Sequence, residues 1–220
     1  SVLPALLFGV AFANIFQGLP LDQEHLFQGG LLALINPYGL LGGILFLLFF
    51  IVHGALWLAI RAAGDLHQRA VRTAANAWLP LLLAAVAFLV YSAVATDLYA
   101  NYLARPYLFL VILLAVAGLL GIRLFISRQN YFKAWFASAL AIVGATFFGI
   151  VGLFPNMLPS NINAEYSLTA LNASSSPLTL KIMLVVVLLC IPVVLAYQIW
   201  AYHLFRNKVT REDLALEDAY

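Results

Sequence analysis

Charge is what this 220-residue chain has least of: Asp, Glu, Lys and Arg together make up 9% of it, against about 25% in soluble domains. With 65% of residues hydrophobic, too little polar material remains to cover a water-facing surface, which excludes a soluble globular domain and a disordered chain. One cysteine, Cys190, lies in an apolar run, so neither a disulfide framework nor a thiolate metal cluster can be built. Eleven basic residues, a net charge of +2 and no basic stripe exclude a nucleic-acid partner. No acidic residue falls in the middle of an apolar run; Asp22, Glu24, Asp97 and Glu165 lie between or at the edges of the runs. Ion-coupled carriers and proton relays place carboxylates at mid-membrane, so a transporter is the weakest of the available readings. Walker A, His-Glu-x-x-His and Gly-x-Ser-x-Gly sequences are also missing, and with them the parts of the common hydrolases.

Long apolar runs are what the chain does contain. A bilayer core of about 30 Å takes around 20 apolar residues as a helix, because lipid offers backbone groups no hydrogen-bond partner. Five runs meet this length, at 37–61, 76–95, 106–125, 131–154 and 179–205, and a shorter sixth occupies 2–19. The expected fold class is all-α: a polytopic transmembrane helical bundle of about six spans, forming one integral membrane domain over 1–220. The sixth run opens at Ser1 without an initiator methionine or a signal-peptide pattern, and reads as the remainder of a longer N-terminal part.

Lys and Arg collect in cytoplasmic loops. Arg61, Arg69, Arg72, Arg123, Arg128, Lys133, Arg206, Lys208 and Arg211 fall on one side of the spans, and only Arg105 and Lys181 on the other. This asymmetry predicts a cytoplasmic C-terminus, with 20–36, 96–105 and 155–178 facing outward. The 155–178 segment is rich in Pro, Ser, Asn and Thr, and at that length is either an ordered cap or a flexible connector. Its Asn172-Ala173-Ser174 matches a glycosylation sequon, a short motif that carries little weight by itself.

Polar groups within spans are expensive and each needs a use. Asn14 and Gln17, at i and i+3, share a helix face suited to interhelical hydrogen bonding, with a ligand or intersubunit contact as the alternative. His53 is the one histidine deep in a span. A low-spin haem needs two axial ligands, and no second deep His or Met is evident, so a packing histidine is the expected role. Glycine and alanine pairs such as Gly42 with Gly43, Gly118 with Gly121 and Ala137 with Ala141 predict close helix packing. These residues supply no catalytic, cofactor-binding or metal-binding site.

Several strings carry a resemblance: Gly9-Val10-Ala11-Phe12-Ala13-Asn14-Ile15-Phe16-Gln17-Gly18-Leu19-Pro20, Asn36-Pro37-Tyr38-Gly39-Leu40-Leu41, Gly64-Asp65-Leu66-His67 after Arg61, Phe154-Pro155 with Met157-Leu158-Pro159-Ser160, Ser174-Ser175-Ser176-Pro177-Leu178-Thr179-Leu180 and Val209-Thr210-Arg211-Glu212-Asp213. In this order the chain resembles subunit II of cytochrome bd-type quinol oxidases, over about its last two-thirds. The resemblance implies a haem-free subunit in the bacterial inner membrane, paired with a larger subunit I that carries haem b and haem d and oxidises quinol while reducing oxygen to water. It assigns no catalytic role to Arg61, Asp65 or His67. A membrane scaffold holding lipid or a structural quinone is the rival reading.

Overall fold

The computed structural model describes residues 2–204. Seven α-helices follow in order: α1 Val2–Gln17, α2 Pro37–Arg61, α3 Gly64–Ala95, the short α4 Tyr99–Ala104, α5 Phe109–Ser127, α6 Tyr131–Leu153 and α7 Pro177–Leu204. Five helical segments among the described residues are long and apolar enough to cross a membrane, at Pro37–Arg61, Gly64–Ala95, Pro106–Ser127, Tyr131–Leu153 and Pro177–Leu204. The helix Val2–Gln17 is apolar and shorter. An all-α polytopic membrane bundle is therefore the architecture, as composition and run length demand.

One boundary differs from the sequence reading. The helix containing the 76–95 run starts at Gly64, so most of 62–75 is helical rather than loop. The 32 residues of α3 extend about 48 Å, well beyond a hydrocarbon core of about 30 Å. Its first turns carry the exposed pair Arg69 and Asp65, whose charged groups are 3.8 Å apart. Charge interrupts an apolar run but not a helix of Ala, Gln and Arg.

Helix starts follow local chemistry. Asn36 accepts the Gly39 N–H at 2.7 Å, with Pro37 at the first helical position of α2, an arrangement in which proline costs no hydrogen bond. Asn130 accepts the Lys133 N–H at 3.1 Å at the start of α6. Small residues then set the packing. A Cβ on Gly42 of α2 would meet the Ala13 Cβ of α1, and one on Gly118 of α5 would lie 2.6 Å from the Ala141 nitrogen of α6. Backbones approach this closely only where side chains are absent. The core runs through α2, α3, α5 and α6, with Tyr38, Val52, Leu56, Leu81 and Ile122 fully enclosed. Trp78 ties α3 to α5 by donating to the Leu119 carbonyl at 2.7 Å.

The segment after α6 is an ordered cap, deciding between the two alternatives for 155–178. Strands β1 Asn156–Leu158 and β2 Leu168–Thr169 pair antiparallel. The cap is stitched to the α1–α2 connection: Leu19 N–H donates to Pro159 O at 2.9 Å, Asn161 N–H to Leu19 O at 3.0 Å, and Ser160 Oγ to Leu21 O at 2.8 Å. The last helix, α7, contrasts with the rest. Its side chains are exposed along nearly its whole length, and Tyr202 meets α2 edge-on at Trp57, with centroids 5.7 Å apart.

Candidate functional site

The sequence-flagged polar residues fall in separate places. Asn14 is buried on α1 and donates to Val10 O and to Leu34 O, both at 2.8 Å, while its oxygen accepts from the Asn36 amide at 2.7 Å. It fastens the α1 helix to the start of α2, the interhelical role anticipated for it. Gln17, one turn on, is exposed at the mouth of a polar cavity. The two amides thus do different jobs despite their spacing.

His53 lies half-buried on α2, against α6. Its Nδ1 is 2.8 Å from Ser138 Oγ. Ser138 Oγ donates to the Trp135 carbonyl at 2.7 Å, so its single proton is committed and the imidazole Nδ1 carries the N–H that donates to it. The ring also lies over Trp135, centroids 5.1 Å apart. Nδ1 is thus committed to serine, and the indole of Trp135 packs against the ring. Among the described residues, no group of three His, Cys, Asp or Glu is placed to hold a metal ion.

The basic end of the bundle carries interfacial contacts. Arg61 stacks over Trp57 at 4.8 Å and Arg123 over Trp78 at 5.8 Å, placements that let a cation rest on an aromatic face near the bilayer boundary. His67 Nδ1 is 2.8 Å from Ala59 O and its ring meets Tyr131 edge-on, tying the start of α3 to α2 and α6. The string Val209–Asp213 lies outside the described residues.

Two features were not legible in the sequence. Tyr38, with no exposed surface, donates its hydroxyl to Ser92 Oγ at 2.7 Å, Ser92 having spent its proton on Phe88 O; only an alignment of α2 with α3 brings the pair together. The second is a pair of adjoining cavities. An apolar one of about 440 Å³ lies between α1, α2 and α3 on one side and α5 and α6 on the other, lined by Phe12, Phe49, Phe88, Ala115, Ala145 and Phe148 among others. A polar one of about 410 Å³ sits beneath the cap, lined by Gln17, Asp97, Asn101, Asn156 and Ser160. Phe16 and Leu153 border both.

A bundle of apolar helices with small-residue seams and no catalytic cluster among its described residues defines a structural class, the multi-pass membrane protein, and leaves the family to be settled by comparison. The profile of the family described as cytochrome bd terminal oxidase subunit II matches residues 1–205, and the chain belongs to that family. It is 29% identical over 215 residues to the cytochrome bd ubiquinol oxidase subunit 2 of Bacillus subtilis, covering 97% of this chain and 62% of that protein. It is 30% identical over 248 residues to the cytochrome bd-I ubiquinol oxidase subunit 2 of Escherichia coli K12, covering 97% and 65%. A probable cytochrome oxidase subunit 2 of Haemophilus influenzae is 32% identical over 229 residues, covering 90% and 61%. The chain thus spans a little under two-thirds of the length of these relatives.

Proposed function

We propose that this chain acts as the haem-free subunit II of a cytochrome bd-type quinol oxidase, partnering a larger subunit I that holds haem b and haem d and carries out quinol oxidation and oxygen reduction to water. The observation that carries this reading is the family match over 1–205. The chain's own contribution is structural. Its seams hold α1 to α2 and α5 to α6, and its 28-residue α7 presents uncovered apolar side chains to bilayer or partner. The C-terminus is cytoplasmic in this reading, in a bacterial plasma membrane, because nine of the eleven basic residues lie on that side.

Expression of the full subunit with and without subunit I tests it. The pair should show quinol oxidase activity and haem b and d absorption; the subunit alone should show neither. Robust activity or a haem spectrum from the subunit alone would overturn the proposal.

A further inference from the structure

We infer that the polar cavity beneath the cap is a site for one hard metal cation of the calcium class, held by the Asp97 carboxylate together with the side-chain oxygens of Gln17 and Asn156. Three helices stop at this space. Gln17 is the last residue of α1, Ala95 the last of α3 and Leu153 the last of α6, and all three line the same cavity of about 410 Å³. The carbonyl end of a helix carries a partial negative charge of up to about half an electron, felt within the last turn, so three such ends add together there. The carbonyls of Val94 and Ala95, both residues of the lining, accept from no described donor, as helix-end carbonyls do when no cap follows. Those of Val151 and Gly152 near the end of α6 are met by the neutral amide of Asn101, at 2.9 and 3.1 Å.

Charge in the cavity has one sign. Asp97 is its single charged lining residue, and no Lys, Arg or His stands among the described residues of the lining. A carboxylate set against three carbonyl ends is repelled by each of them, and a bound cation offsets that repulsion. The side chains of Asp97, Gln17 and Asn156 make no hydrogen bond or ion pair with another described residue, whereas those of Asn101, Ser160 and Asn161 are spent on carbonyls of the fold. Carboxylate, amide and main-chain oxygens, with no imidazole or thiolate beside them, are the ligand set of a hard cation. Calcium takes about six to eight such oxygens in irregular geometry and fills vacant positions with water, which suits side chains drawn from three separate stretches around a wide space. Magnesium demands a tight octahedron that this arrangement does not impose.

The test uses the assembly purified from its membrane through a tag on this chain, in mild detergent, stripped with a chelator and titrated with calcium while the unfolding midpoint is followed. A cation that binds only the folded state raises that midpoint in a saturable way. Wild type should be half-saturated at a calcium concentration on the order of 10⁻⁴–10⁻³ M, the range of sites with few charged ligands. Asp97→Asn, at an exposed side chain with no bond to break, should keep the calcium-free midpoint and raise the half-saturating concentration at least about tenfold, the scale of one charge-assisted contact. Asn156→Leu should raise it by less. Glu165→Gln, which neutralises an acidic side chain of the cap outside the cavity, should leave it unchanged, and magnesium should act only at higher concentration than calcium. No saturable calcium effect on wild type, the same half-saturation in wild type and Asp97→Asn, an equal loss in Glu165→Gln, or magnesium acting as well as calcium would overturn the inference. Oxidase activity is not among the readouts, so failure of the proposed function leaves this result legible.

Discussion

The Asn36 side chain donates to the Asn14 oxygen across 2.7 Å while its own oxygen accepts the Gly39 N–H. One residue thereby caps α2 and grips α1. Asn14 completes the junction by donating to Leu34 O, which lies before the helix and has no intrahelical partner. Asn14→Leu should leave that carbonyl and the Asn36 N–H unpaired and destabilise the subunit by about 1–2 kcal/mol. Combined with Asn36→Ala, the loss should be smaller than the sum of the two single losses, because both remove the same contact. Thermal unfolding of the purified assembly measures each; additive losses would show that the two amides act independently.

The His53 relationship predicts a small effect. His53→Ala in the whole assembly should leave every haem band in place and cost one interhelical hydrogen bond with Ser138, about 0.6–2 kcal/mol. Loss of a b- or d-type band from an otherwise assembled complex would make His53 a ligand.

Much of this was legible in the sequence because hydrophobic run length is a strong signal when lipid forbids unpaired backbone. The runs at 37–61 and 131–154 reappear as helices Pro37–Arg61 and Tyr131–Leu153. The extension of α3 back to Gly64 was hidden because hydropathy reports the membrane boundary and not the helix boundary. Asn14 was recognisable as an interhelical residue from its cost in an apolar run. Its partners were not, since Leu34 and Asn36 lie across a loop whose path is set by tertiary contacts. The polar cavity was out of reach for the same reason: Gln17, Asp97 and Asn156 come from three distant stretches of chain.

Glycine substitutions should separate seam from surface. A Cβ on Gly118 would lie 2.6 Å from Ala141 N and 2.8 Å from Ala137 O, both backbone atoms of α6, whereas one on Gly54 would meet nothing within 4 Å. Gly118→Leu should therefore abolish the α5–α6 contact and the yield of folded subunit. Gly54→Ala should be neutral or stabilising by up to about 1 kcal/mol through helix propensity. Monodispersity on size exclusion and the unfolding midpoint provide the comparison.

The α1–α2 connection should loosen in acid. The backbone N–H of Leu26, followed by that of Glu24 and the Gln28 amide, holds the Asp22 carboxyl below its ordinary value of 3.8. A depressed value means the charged form is favoured when folded, so the contribution is complete above the ordinary value and is lost as pH falls through the lower folded one. Amide exchange at Glu24 and Leu26 should accelerate only below about pH 4, taking the usual aspartate range, and Asp22→Asn should raise it already at neutral pH. Unchanged exchange in the variant would show that the carboxylate does not hold the turn.

The orientation follows from charge and can be read with impermeant thiol reagents. Ser127 ends α5 beside Arg128, at the basic end of the bundle, and Asn163 begins the short turn of the cap at the other. With Cys190 replaced by Ser, a cysteine at position 163 should be labelled from outside intact cells, and one at position 127 only after the membrane is opened. Both positions are exposed, so reagent access is governed by the side of the membrane and not by burial. The positive-inside bias orients a protein through its short loops, and the loop between α5 and α6, at Arg128–Asn130, is among the shortest in the chain. Reversed labelling would place the basic loops outside, invert the orientation of the bundle and put the cap with its polar cavity on the cytoplasmic face.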